Sequence, residues 1–172
     1  MTLHFTAAAL ALLIERLFGY PKSLHDKIGH PVGWIGTILK KLEILLYDPE
    51  AEPLQARLRG VAALLALLFI VAIPAVLVAS LLSTFKFGWI IEALLATALI
   101  AQHSLYDHVS AVGKGLDTSL SEGRKAVAKI VGRDPATLEE SGVVKGALES
   151  LAENTSDGIV APVLWYALLG LP

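Results

Sequence analysis

Residues 60–82 form an unbroken apolar run, GVAALLALLFIVAIPAVLVASLL, without a charged side chain. A bilayer core needs about 20 apolar residues in a helix, so this run alone commits the chain to a membrane. Pro74 within it is a tolerated kink point. Composition agrees: 55% of residues are hydrophobic and 17% charged, where a soluble domain carries about a quarter charged residues. The formal net charge of -2 supplies no basic stripe for nucleic acid. The absence of cysteine excludes disulfides, thiolate metal sites and a cysteine nucleophile, so any metal must be held by oxygen or imidazole.

The expected fold is an all-α, polytopic integral membrane protein with about four transmembrane helices and cytoplasmic amphipathic helices, a single domain over residues 1–172. Spans are expected at 3–18, 60–82, 87–101 and 159–172, with cytoplasmic segments at 19–59 and 102–158. The first ends in Glu15 and Arg16 and lacks the basic start and small-residue cleavage site of a signal peptide, so it reads as a retained helix. The third is short and carries Glu92. The fourth is still apolar at Pro172. Its length corresponds to a rise of about 20 Å against a core of about 30 Å. It therefore reads as incomplete, with a C-terminal half or a homo-oligomer as the partner that finishes the crossing. Of the 14 Lys and Arg residues, only Lys86 falls outside the two polar segments and their borders. The positive-inside rule then places the N-terminus outside and both polar segments in the cytoplasm, as for a multi-pass protein of the cell (inner) membrane.

In the first polar segment, Gly19, Tyr20, Pro21 and then His30, Pro31, Val32, Gly33 read as turns. Ile35, Ile38, Leu39, Leu42, Leu45 and Leu46 recur at helical spacing, with Lys40, Lys41 and Glu43 on other faces. Such a helix either lies in the membrane interface or packs against the spans. His30 is a candidate ligand or catalytic group, with a structural histidine as the alternative.

The second polar segment opens with His103, Asp107 and His108. His103 and Asp107 share a helical face, as an oriented base, a metal-binding pair or a plain ion pair would. A helical break is expected near Gly113 and Gly115, and the glycine-lysine pattern there lacks the features of a P-loop.

The densest chemistry lies in GRDPATLEESGVVKGALESLAENTSDGIVAP, residues 132–162. Arg133, Asp134 and Pro135 read as a turn, and Thr137 with Glu140 as a capping box opening a helix over about 138–152. Lys145, Glu149 and Glu153 stack on one face. Two carboxylates at i, i+4 repel unless a cation sits between them, and Asn154 and Asp157 follow at the expected helix exit, where Asp157 and Gly158 read as a turn into the fourth span. Glu149, Glu153 and Asp157 form an oxygen donor set suited to Mg²⁺, with Arg124, Arg133 and Lys145 as candidates for phosphate oxygens. From spacing alone, a solvated amphipathic face explains the same charges.

The string VGRDPATLEESGVVKGALESLAENTSDGIVAPVLWYALLGLP, with His30, Pro31, Val32 and the stretch 104–108, resembles the membrane-bound cobalamin biosynthesis family, the adenosylcobinamide-phosphate synthases. The resemblance implies an enzyme that joins adenosylcobyric acid to 1-aminopropan-2-ol O-phosphate with ATP and Mg²⁺, giving adenosylcobinamide phosphate. For that reaction, charge type and motif position make Glu149, Glu153 and Asp157 the candidate catalytic and metal-binding carboxylates, and His30 or His108 the candidate proton acceptors. Arg124, Arg133, Asp134, Lys145 and Asn154 would bind substrate or phosphate. Family members are generally much longer, and they tend to have an acidic residue where this chain has Tyr20. The alternative reading is a non-catalytic membrane scaffold or an inactive fragment of the family. A lipid-headgroup phosphotransferase would need a paired-aspartate signature that the sequence lacks.

Overall fold

A computed structural model describes residues 2–132 and 134–171, and they form helices joined by short connections. In chain order these are α1 (Thr2–Phe18), α2 (Lys22–Ile28), α3 (Pro31–Leu46), α4 (Pro53–Leu82), α5 (Gly88–Thr97), α6 (Gln102–Thr118), α7 (Leu120–Val127) and α8 (Glu140–Thr155). A π-helical turn, Ser156–Val160, then leads into α9 (Ala161–Leu169).

The more apolar of two helical layers, called the membrane layer below, is α1, α5 and α9, packed through small side chains. Ala7, Ala8 and Ala11 of α1, Ala93 and Ala96 of α5 and Ala167 of α9 are buried together with Ile100 and Tyr166. Alanine suits this role because helices in lipid gain little from burying apolar surface and associate by close backbone approach. The polar layer has its own core of Val112, Val127, Val143 and Ala147, contributed by α6, α7 and α8. In the third unit α3 folds back on α4, and an Asp48–Arg59 ion pair of 2.9 Å ties their connection.

The apolar run 60–82 is helical as expected, and Pro53 starts the helix a full two turns earlier, with Pro74 accommodated inside it. Its surface is almost wholly exposed, as a lipid-facing helix should be. By length and composition, Pro53–Leu82 and Gly88–Thr118 can each cross a bilayer. A third crossing arises if Leu3–Phe18 and Lys22–Leu46, bent by 98°, form one broken span. Two or three of the four expected spans are thus long and apolar enough by this measure. The expected third span is interrupted: α5 ends at Thr97, and α6 begins at Gln102 after a short non-helical step.

Four expectations are corrected. Pro31, Val32 and Gly33, expected as a turn, open α3, because proline suits the first helical position after the His30 cap. The break foreseen near Gly113 and Gly115 falls at Ser119, whose side chain caps α7 by accepting the Glu122 N–H. Gly115 instead permits close packing, since a Cβ there would lie 2.9 Å from the Glu122 carbonyl oxygen on α7. The Thr137–Glu140 capping box does not form: α8 starts at Glu140 with no side-chain cap, and Asp134 takes up the Ala136 N–H. Finally, Asp157 and Gly158 are not a turn. They sit in the π-helical step of a helix that continues from α8 into α9.

The π turn lies between two packing surfaces: Val143 and Ala147 of α8 belong to the polar-layer core, whereas Tyr166 and Ala167 of α9 belong to the membrane-layer core.

Candidate functional site

The two layers meet where the end of α1, the start of α6 and the π turn converge. The N-terminus of α6 presents backbone N–H groups that no preceding turn can satisfy. Glu15, buried to 2% exposure, answers them: its two carboxylate oxygens accept the His103 N–H at 2.9 and 3.1 Å. Beside it, the Ala101 N–H donates to the Gly158 carbonyl at 2.9 Å. That carbonyl lacks the usual donor four residues on, because Pro162 has no N–H. The break before α6 and the bulge after α8 are therefore one joint.

The histidines are oriented by backbone carbonyls. His103 Nδ1 lies 3.1 Å from the Arg16 oxygen, and a carbonyl only accepts, so Nδ1 carries the proton. Its Nε2 is 3.5 Å from Asp107, the i, i+4 pair expected from the sequence. His108 Nδ1 likewise donates to the Ser104 carbonyl at 2.7 Å, which leaves Nε2 as the nitrogen without a protein partner among the described residues. A histidine fixed in this tautomer can accept a proton or a ligand at Nε2.

His30 has a different task. It is the N-cap of α3, and its Nδ1 accepts the Val32 N–H at 3.3 Å. Burial, and secondarily the neighbouring His25, push its ring below the usual histidine range. The Tyr20 ring packs edge-on against it with centroids 4.6 Å apart, and the Tyr20 hydroxyl donates to the Gly29 carbonyl at 2.9 Å. Tyr20 therefore braces this turn.

Glu149 and Glu153 on α8 and Asp157 in the π turn are exposed, and Lys145 lies 3.8 Å from Glu149. Among the described residues no three His, Asp or Glu side chains are arranged to hold a metal ion, so these carboxylates are not a closed ligand set. Arg124 and Asp134 act on the backbone: Arg124 Nε donates to the Leu138 carbonyl at 2.7 Å, and Asp134 shapes the turn to Ala136. Arg133 lies outside the described residues.

What the fold does bring together is a cleft of about 450 Å³, lined by Ser104, His108, Lys129, Gly132 and Asn154 with Ala101 at its base. Ser150 secures one wall by donating to the Ile130 carbonyl at 2.8 Å, and Asn154 donates to the Ser150 carbonyl at 2.8 Å. Of the candidate residues, His108 and Asn154 share this cleft, whereas His30, Arg124 and Lys145 do not line it. Ser104 belongs to the stretch 104–108 that carries the resemblance, whereas Lys129 has no sequence signal that sets it apart from other surface lysines.

The family model for CobD/Cbib protein matches residues 8–172. The chain belongs to this family. It is 44% identical over 170 residues to a cobalamin biosynthesis protein CobD of Sinorhizobium fredii, a match that covers 98% of this chain and 52% of that protein. It is 40% identical over 167 residues to the CobD of Rhodobacter capsulatus, covering 95% and 51%. With the CobD of Brucella suis it shares 40% over 174 residues, covering 100% and 53%. The chain spans about half the length of these relatives. No solved structure matches it.

Proposed function

We propose that the chain serves cobalamin biosynthesis as part of an adenosylcobinamide-phosphate synthase, which forms an amide between adenosylcobyric acid and 1-aminopropan-2-ol O-phosphate at the expense of ATP. The observation that supports this best is the cleft in which Asn154, of the AENTSDG string, stands with His108, next to the hydrogen bond between Ala101 and Gly158. Members of the matched family carry the name cobalamin biosynthesis protein.

The chemistry suits the groups present. A carboxylate is a poor electrophile, so its oxygen first takes the γ-phosphoryl group of ATP, releasing ADP and giving an acyl phosphate. The amine then attacks the acyl carbon, phosphate leaves, and the proton lost from nitrogen needs an acceptor. His108 Nε2 is such an acceptor. The corrinoid, ATP and the aminoalcohol phosphate would reach the joint from the cytoplasm, with the bilayer holding α1, α4, α5 and α9. Glu149, Glu153 and Asp157 are hard oxygen donors. Mg²⁺ usually keeps several waters and binds one or two carboxylates plus substrate phosphates, so an open set of this kind fits it. Bound there, the ion would supply charge neutralisation at the phosphates.

The test is a mass-spectrometric assay of the detergent-solubilised chain with adenosylcobyric acid, aminopropanol phosphate, ATP and Mg²⁺. Product that disappears in Glu153→Gln supports the reading. No product from this chain, beside an active full-length family enzyme, would make it a scaffold or a portion that needs the rest of the protein.

A further inference from the structure

The cleft at the joint has a charge pattern that separates it from the rest of the polar layer. Among the described residues no carboxylate lines it. The neighbouring cations are engaged elsewhere: Lys125 pairs with Glu122 at 2.7 Å, Lys145 approaches Glu149 at 3.8 Å and Arg124 holds the Leu138 carbonyl. Lys129 makes no ion pair among the described residues, and it stands in the cleft wall on the turn that Ser150 pins through Ile130. Among the described residues the positive charge of the cleft is this lysine, because Glu15 already accepts the His103 N–H at the start of α6.

The other groups complete a two-ended recognition pattern. Ser104 and Asn154 bring a hydroxyl and an amide, and one of the two Asn154 amide protons is used by the Ser150 carbonyl. His108 offers a lone pair at Nε2, which suits a cationic donor and repels an anionic oxygen. We infer that this cleft binds a small phosphate monoester bearing an amine, with the phosphate on Lys129, Ser104 and Asn154 and the ammonium toward His108 Nε2. A cavity of about 450 Å³ accommodates such a molecule. The inference rests on the synthase reading, where the aminoalcohol phosphate is the substrate of that chemistry, and it makes Lys129 a binding residue.

Binding can be measured without turnover. The 172-residue chain in detergent is titrated calorimetrically with 1-aminopropan-2-ol O-phosphate, with the unphosphorylated aminoalcohol, with inorganic phosphate and with ATP. The aminoalcohol phosphate should bind, the unphosphorylated alcohol should not, and inorganic phosphate should bind more weakly. Lys129→Ala should weaken the aminoalcohol phosphate about 10- to 100-fold, with ATP unchanged and Lys129→Arg retaining most of the affinity. Lys129 is exposed, so an unaltered thermal midpoint is expected and shows that the fold is intact. Equal binding by wild type and Lys129→Ala, or no binding by the wild type, overturns the inference. A loss confined to ATP also overturns it and assigns the cleft to nucleotide. Product formation that persists in Lys129→Ala would sink this subsite while leaving the synthase reading standing.

Discussion

The Glu15 carboxylate accepts the backbone N–H of His103 through both oxygens, across 88 residues of chain and at 2% exposure. A buried anion is stable only when its oxygens are met by donors, and a helix N-terminus offers them. Glu15→Ala removes the acceptor and leaves the start of α6 unsatisfied inside the bundle. The expected loss is about 1–3 kcal/mol, read as a lowered unfolding midpoint in detergent. Glu15→Gln keeps one acceptor oxygen and should fall between the two. An unchanged midpoint for Glu15→Ala would show that water takes over the role of the carboxylate.

This pair also marks how far the sequence can be read. Residues 60–82 declare a helix because they contain nothing that water could hold, and the Ala and Val positions of α8 declare its buried face by spacing. Glu15 is legible only as a charge at the end of an apolar segment, since its partner arrives through tertiary packing. The π turn is invisible for a related reason. Asp157 and Gly158 have the composition of a turn, yet they lie in a π-helical step whose Gly158 carbonyl accepts the Ala101 N–H from a distant part of the chain. Local propensity is a weak prior where such a contact exists. Lys129 and Arg124 look alike as cations in sequence, yet one lines the cleft and the other holds a carbonyl.

Gly19 has φ of +59°, and a Cβ built on it would lie 2.9 Å from His103 Cδ2. Gly19→Ala should therefore suffer twice, by about 1–2 kcal/mol from the left-handed backbone and further by displacing the His103 ring. Gly19→Asn separates the two effects, because Asn tolerates that backbone region. Thermal unfolding of both variants decides the matter. A fully stable Gly19→Asn would mean that the ring moves aside freely.

His30 predicts a pH dependence whose sign follows from its cap. Only the neutral ring can accept the Val32 N–H at Nδ1, and burial lowers its affinity for protons in the fold. The unfolded chain, with an ordinary histidine near 6.5, takes up the proton first as pH falls. The His30 contribution to stability is thus present at pH 7.5, begins to be lost near pH 6.5 and is lost progressively down to the lowered folded value. His30→Asn retains a side chain suited to the N-cap and cannot titrate. The difference in unfolding midpoint between pH 7.5 and 5.5 should shrink in that variant, and an unchanged difference would assign the effect to other groups.

The orientation of the site decides whether the proposed substrates can reach it. The start of α1 and the 83–86 connection line one cavity at one end of the membrane layer, whereas Glu15, His103 and Gly158 gather at the other. Thirteen of the 14 Lys and Arg residues fall toward the second end by sequence position, and the positive-inside rule predicts a cytoplasmic location for that end. The chain has no cysteine, so single-cysteine labelling needs no prior substitutions. A membrane-impermeant maleimide applied to intact spheroplasts should label Thr84→Cys, in the exposed connection, and spare Lys125→Cys on α7 until the membrane is opened. The reverse pattern would put the cleft on the outer face, away from cytoplasmic ATP, and the synthase reading would fall with it.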